Sequence, residues 1–149
     1  MQRSVATTSA VISFAEKLED ESSSFYEKLA QKFPEDSEKF NSFAQESKKN
    51  KTLITRTYRE TITDALEACY SFEGFNPRDY QVNPVVAETR IQCLKNAIQL
   101  EDKAIEFYAQ AAERSKSLLA TIPMAFRKVG QIRKNRKLVL ESLLTGSKT

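Results

Sequence analysis

The sequence contains no histidine and no tryptophan, and its 149 residues include only two cysteines, three glycines and four prolines. Without histidine, the serine, cysteine and zinc hydrolase sites that depend on an imidazole are excluded. The scarcity of glycine and proline, with abundant Ala, Glu, Lys and Leu, favours long helices. No apolar run approaches the roughly 20 residues that a membrane span requires, so no membrane-spanning segment is predicted.

Other absences bear on location and charge. The N-terminal residues MQRSVATTSA contain no apolar signal core, which predicts a cytoplasmic protein. Cys69 and Cys93 do not have the spacing of metal ligands, and we expect two reduced thiols in the core. A net charge of +3 is too small to indicate a polyanionic partner. The length predicts a single domain over residues 1–149.

The most informative feature of the sequence is a motif that occurs twice. Residues 15–30 read AEKLEDESSSFYEKLA, and residues 97–112 read AIQLEDKAIEFYAQAA. Both copies place a glutamate seven residues before a tyrosine. A weaker match relates Phe40, Gln45 and Lys48 to Phe126, Gln131 and Lys134. We infer that the chain contains two copies of one helical hairpin.

The apolar period of 3.6 residues predicts four helices. The same period places Glu19 and Tyr26 on the inner stripe of the first helix, Glu101 and Tyr108 on that of the third, and Arg133 and Arg136 on that of the fourth. The expected bounds of the helices are about Thr8 to Phe33, about Asp36 to Leu66 or beyond, from Asn83-Pro84 onward, and from about Pro123 to just before Gly146. Pro34 is expected to end the first helix, because proline disfavours the α conformation in the residue before it. Asn83 is expected to cap the third helix, with Pro84 at its first position.

The segment from Ser71 to Pro84 is the longest predicted connection. A helix of about 27 residues is about 40 Å long. Fourteen extended residues span at most roughly 46–50 Å, so this segment can run from one end of a bundle to the other. With short connections elsewhere, the sequence predicts an all-α fold: an antiparallel four-helix bundle of two helical hairpins joined by one long crossover, which is the ferritin-like connectivity.

The segments LEDESSSFY and LEDKAIEFY resemble the first and third helices of rubrerythrin-type ferritin-like proteins. In that family a metal-ligating glutamate precedes a tyrosine by seven residues. The resemblance therefore implies that Glu19 with Tyr26, and Glu101 with Tyr108, face the centre of the bundle. It covers the chain from about Val11 to Leu143.

The rest of the family's di-iron site is missing from this chain. The second and fourth helices of the family resemble a pattern ending in Glu-x-x-His. The glutamate positions correspond here to Ser47 and Arg133, and the histidine positions to Asn50 and Arg136. Serine and asparagine are weak ligands, and arginine repels a metal cation. The resemblance therefore implies a degenerate member with no metal and no redox activity.

We expect arginine to replace the lost metal charge. Two buried carboxylates without partners are costly, and burial drives them towards protonation. Arg133 and Arg136 lie on the helix stripe that faces Glu19 and Glu101, and a guanidinium group binds carboxylates in a planar fork. The alternative is that Arg136, or both arginines, extend to solvent.

Three functions follow from these observations. The first is a metal-free bundle that acts as a structural, binding or regulatory protein and carries no catalytic residue. The second is an oxidoreductase or peroxidase with a rearranged carboxylate site for iron or manganese, formed by Glu19, Glu101 and Glu46. The third is nucleic-acid binding through basic helix faces, at 48–51 and 127–137, although solvated helix faces explain most such runs.

Aromatic residues cluster near the predicted crossover. They are Tyr70, Phe72, Phe75 and Tyr80. We expect them to cap one face of the bundle. If they were exposed, they would form an apolar patch suited to a homodimer, and bundles of the resembling family commonly pair.

Overall fold

A computed structural model describes residues 5–61, 71–115 and 121–146. Four long helices occupy most of this part of the chain: α1 (Thr8–Lys32), α2 (Ser37–Thr61), α3 (Arg90–Arg114) and α4 (Thr121–Gly146). The all-α expectation holds for these elements. The structure also contains a short antiparallel strand pair that the sequence did not predict, β1 (Val5–Thr7) with β2 (Ser71–Glu73).

The helices form two hairpins that pack against each other. α1 packs along α2, and α3 packs along α4. The contacts that set the helix directions are Asp20–Lys51 and Glu27–Lys48 for α1 and α2, Asp102–Lys137 and Tyr108–Phe126 for α3 and α4, and Tyr26–Glu101 and Tyr108–Glu19 for α1 and α3. In each of these three pairs the two helices run antiparallel. α2 and α3 therefore point the same way, so residues 62–89 join opposite ends of the helix assembly.

The described part of this connection lies along the groove between α1 and α3. Phe75 stacks on Phe107 of α3 with ring centroids 5.8 Å apart. Further on, Asn96 Nδ2 donates to the carbonyl of Val85 at 3.0 Å, and Lys32 Nζ donates to the carbonyl of Ala87 at 2.8 Å. The connection forms a single 3₁₀ turn at Pro77–Tyr80, and beyond it side chains of both helices hold the extended chain.

The aromatic residues of the connection belong to the core. Phe72 and Phe75 are buried, and Tyr80 lies against Phe75 and Phe107. They cap the α1–α3 side of the helices and do not form an exposed apolar patch. Tyr70 lies outside the described residues.

The predicted start of α3 is wrong. Asn83 and Pro84 do not cap a helix, and the chain stays non-helical until Thr89, whose Oγ1 accepts a hydrogen bond from the amide of Gln92 at 3.1 Å. The residues after Pro84 include a pair of valines, and β-branched residues favour extended backbone. The crossover is therefore longer than the predicted segment, because residues 85–89 extend it to the far end of α1.

The other helix bounds lie close to those expected. α1 ends at Lys32, and the amide of Phe33 closes its last turn on the carbonyl of Leu29 at 2.9 Å. Pro34 then begins a single 3₁₀ turn that leads into α2. The predicted continuation of α2 to Leu66 falls outside the described residues.

Two further observations concern the thiols and the membrane. Cys93 is buried and free, and its thiol contacts the carbonyl of Ala87 at 3.3 Å. Cys69 lies outside the described residues. Of the helices in the described ranges, none combines the length and the apolar character needed to cross a bilayer.

Candidate functional site: a buried charge cluster

The polar side chains predicted at the centre of the helices lie together and are almost completely shielded from solvent. We call them the central cluster: Glu19, Tyr26, Ser47, Asn50, Glu101, Tyr108, Arg133 and Arg136. The most exposed of them is Asn50, at 3%. All four helices contribute, so the cluster exists only when both hairpins are in place.

The glutamates and tyrosines of α1 and α3 form two reciprocal hydrogen bonds. A spacing of seven residues is about two helical turns, so each glutamate shares a helix face with its tyrosine. Because α1 and α3 run antiparallel, the tyrosine of one copy meets the glutamate of the other. Tyr26 donates to Glu101 at 2.6 Å, and Tyr108 donates to Glu19 at 2.5 Å. The sequence repeat therefore produces a nearly symmetric centre.

Arg133 bridges the two carboxylates. Its Nη1 donates to both oxygens of Glu101, at 2.9 and 2.8 Å. Its Nη2 donates to Oε2 of Glu19 at 2.9 Å and to the hydroxyl of Ser22 at 2.8 Å. One guanidinium group thus contacts the carboxylates of both copies of the repeat, using the fork geometry that lysine lacks, and its single charge offsets one of their two negative charges.

The one remaining carboxylate oxygen, Oε1 of Glu19, also has a donor. Asn50 Nδ2 donates to Oε1 of Glu19 at 3.2 Å. The Ser22 hydroxyl donates a hydrogen bond to the carbonyl of Leu18 at 2.7 Å, and its oxygen accepts one from Arg133. Ser22 was not among the predicted site residues, although it lies on the inner stripe of α1 one turn after Glu19.

Arg136 is buried and has partners beyond those expected. Its Nη1 donates to Ser47 Oγ at 3.0 Å, and its Nε donates to Glu46 at 3.3 Å. Its guanidinium carbon lies 5.3 Å from the ring centre of Tyr26, a cation–π distance. Its nearest approach to Glu101 is 3.7 Å. Glu46, at the edge of the cluster, is therefore its closest carboxylate. The buried ion pair with Glu101 agrees with the expectation that Arg136 offsets the charge of a central glutamate.

The electrostatic environment keeps the tyrosines neutral. Burial raises the pKa of Tyr26 well above its ordinary value, and the charge of Glu101 raises it further. Burial and then Glu19 raise the pKa of Tyr108 in the same way. Burial lowers the pKa of Arg133, but the charges of Glu101 and Glu19 outweigh this effect and hold it well above its ordinary value. Both phenols therefore remain donors, and the guanidinium group remains charged.

The residues of the cluster do not fit a metal ion. Within residues 5–61, 71–115 and 121–146, no three His, Cys, Asp or Glu side chains form a group that could hold one. The alternative set of Glu19, Glu101 and Glu46 fails because the Glu46 side chain is 41% exposed and engages Arg136. The space between Glu19 and Glu101 is filled by the Arg133 guanidinium, which is itself a cation. Iron or manganese would have to displace it.

The central cluster is closed to solvent. Every member of the cluster is at most 3% exposed, so the charged groups do not reach solvent. A reacting molecule would have to open the helices to touch either carboxylate.

Comparison of the chain with family models, with curated proteins and with solved structures finds no match.

Proposed function

We propose that this chain is a ferritin-like, rubrerythrin-related bundle whose di-iron site has been replaced by protein charge, and that it acts as a non-catalytic binding or structural protein. The observation that carries the proposal is the position of Arg133, which donates hydrogen bonds to Glu19 and Glu101 where a metal would otherwise join them. A guanidinium group bonded to both carboxylates supplies the positive charge that they need inside the bundle.

The repeat supports this proposal. The position that is Ser47 in the first hairpin is Arg133 in the second, and Asn50 corresponds to Arg136. Both arginines therefore stand at ligand positions implied by the resemblance, on a single helix. Their counterparts on α2 are small or neutral and act as hydrogen-bond partners of Arg136 and Glu19.

The structure lends less support to the two alternative functions. In the part of the chain that the structure describes, no third acidic, histidine or cysteine side chain joins Glu19 and Glu101 in a group that could hold a metal ion. For nucleic-acid binding, many cations of the basic runs are already engaged. Lys48 pairs with Glu27, Lys51 with Asp20 and Lys137 with Asp102, while Arg133 and Arg136 are buried.

Metal analysis of the purified protein tests the proposal. The protein would be produced in cells supplied with iron and manganese, and then incubated anaerobically with Fe(II) or Mn(II) before desalting. We expect far less than one metal ion per chain and no change in thermal stability. Near-stoichiometric metal that is lost in the Glu19→Gln and Glu101→Gln variants would overturn the proposal. Metal retained in both variants would lie elsewhere and leave the proposal intact.

A further inference from the structure

The internal repeat allows the outer surfaces of the two hairpins to be compared position by position. On the first hairpin, Glu27 of α1 and Lys48 of α2 form an ion pair at 2.9 Å. The corresponding positions on the second hairpin are Ala109 and Lys134. The ion pair that spans the groove between α1 and α2 therefore has no equivalent between α3 and α4.

A second difference between the two hairpins lies in the same groove between α3 and α4. The position of Ala44 in α2 corresponds to Gly130 in α4. A Cβ atom added at Gly130 would lie 3.3 Å from Cβ of Tyr108, so the glycine lets the helices approach closely beneath the groove. With Ala109 above it, the surface between α3 and α4 has a depression of about 370 Å³.

The lining of this depression, which we call the α3–α4 groove, is apolar below and charged at its rim, where two cations outnumber the one carboxylate, Glu113. Ala109, Ala112 and Phe126 are among the apolar residues that line it. Arg127 and Lys134 line it as well, and both are exposed. Within the described ranges neither cation has an acidic partner, whereas the lysine equivalent to Lys134 does.

We propose that the α3–α4 groove binds a small molecule with a flat apolar body of one or two rings and a single carboxylate. Its volume lies at the small end of the roughly 300–1,000 Å³ typical of ligand pockets, which suits a compact ligand. The ring system would lie on the alanine and aromatic side chains, and the carboxylate would meet Arg127 and Lys134. This deepens the proposed function by naming a ligand class for a binding protein.

Sodium 2-naphthoate is a suitable probe, with neutral 2-naphthamide as its isosteric control. Each would be titrated into the ¹⁵N-labelled full chain and followed by amide chemical shifts. We expect saturable shifts for 2-naphthoate confined to residues 105–113 and 126–134, with binding at least about tenfold weaker for the amide. No saturable shift at these residues, or equal affinity for acid and amide, would overturn the proposal.

The first hairpin supplies matched variants. Ala109→Glu recreates the ion pair of Glu27 with Lys48, and we expect it to weaken 2-naphthoate binding at least about tenfold. Lys134→Ala should weaken binding about threefold to fivefold, since it removes one exposed charge. Lys48→Ala should leave binding unchanged. Because Lys134 is exposed, its variant keeps the test valid even if Ala109→Glu does not fold.

The outcomes separate this inference from the proposed function. Unaltered binding in both Ala109→Glu and Lys134→Ala would overturn the groove as the site. A groove that binds nothing in a protein that also binds no metal leaves the metal-free function standing. Binding in the groove together with stoichiometric metal at the centre would leave the groove standing and overturn the proposed function.

Discussion

Arg133 reaches the centre of the bundle from α4 and contacts both hairpins through its hydrogen bonds to Glu19, Glu101 and Ser22. A buried ionic cluster of this kind need not stabilise a protein relative to an apolar core of the same shape. Loss of one partner is different, because it leaves an uncompensated charge out of reach of water. Arg133 is therefore the residue whose removal should cost most.

We predict that Arg133→Met lowers the free energy of unfolding by about 3–5 kcal/mol, because both glutamates lose their counterion. Adding Glu19→Gln and Glu101→Gln to this variant should recover about half of the loss, since no buried charge then remains unpaired. Urea denaturation measures both. Arg127→Met, at an exposed position of the same helix, is the control and should change stability by no more than about 0.5 kcal/mol. Equal effects of the two methionine variants would contradict the prediction.

The buried tyrosines predict how stability depends on alkaline pH. Burial raises the pKa of Tyr26 and Tyr108 above the ordinary value of 10.0. Above that pH the unfolded chain releases protons that the folded chain retains, so stability is fully present below about pH 10 and falls as pH rises further. The Tyr26→Phe/Tyr108→Phe variant should show a shallower fall.

Denaturation curves collected between about pH 9 and pH 11 measure this slope. Ultraviolet absorbance of tyrosinate provides a second readout, because two of the five tyrosines should ionise only when the protein unfolds. The double variant will be less stable at every pH, since the carboxylates lose hydrogen bonds, and only the slope is diagnostic. An identical slope in both proteins would show that the tyrosines do not cause the fall.

At the level of elements, the start of α3 depends on where the crossover reaches the far end of α1. Arg90 Nε donates to Asp36 at 2.6 Å, which ties the first residue of α3 to the turn between α1 and α2. The preceding residue, Thr89, caps the helix with its side chain. The crossover therefore delivers α3 to a defined position relative to the first hairpin.

We predict that Thr89→Ala destabilises the protein by about 1 kcal/mol, because the amide of Gln92 loses its acceptor. Asn83→Ala should change the free energy of unfolding by less than about 0.5 kcal/mol, since Asn83 is exposed and caps no helix. Thermal or urea denaturation of the two variants gives the comparison. A larger loss for Asn83→Ala would restore the original expectation for the start of this helix.

At the level of the whole molecule, the central cluster couples the two hairpins. Both tyrosine–glutamate hydrogen bonds join α1 to α3. Arg133 of α4 donates hydrogen bonds to a glutamate on each of these two helices. Glu19 receives a hydrogen bond from Asn50 of its own hairpin, but its cation, Arg133, comes from the other hairpin. Arg133 and Glu101 pair within the second hairpin, whereas Tyr26 and Tyr108 each donate to a glutamate of the opposite hairpin.

We therefore predict that both hairpins unfold in one cooperative transition. Far-ultraviolet circular dichroism and tyrosine fluorescence should give coincident curves in urea. In Arg133→Met the two curves should move together to lower urea concentration. Two separate transitions, or curves that part in the variant, would indicate that the hairpins are stable independently.

Much of the helical arrangement was accessible from the repeat and the apolar period. Each inner stripe was predicted from residues three and four apart, and the structure buries Glu19, Glu101 and Arg133 on those stripes. The strand pair was not predicted, because three-residue segments have too little pattern to be recognised. The end of the crossover was placed too early, because an Asn-Pro pair resembles a helix start whether or not a helix follows.

Helical periodicity alone was enough to place the glutamates, tyrosines and arginines on inward-facing stripes, since it depends only on local spacing. The pairing within the centre came from tertiary packing. The antiparallel approach of α1 and α3 makes Tyr26 meet Glu101, and the depth of Arg133 on α4 lets it reach both glutamates. Arg136 lies about one turn further along, where it donates to Glu46 and stays 3.7 Å from Glu101. These partners are distant in sequence, so their distances depend on how the helices pack rather than on any spacing within one helix.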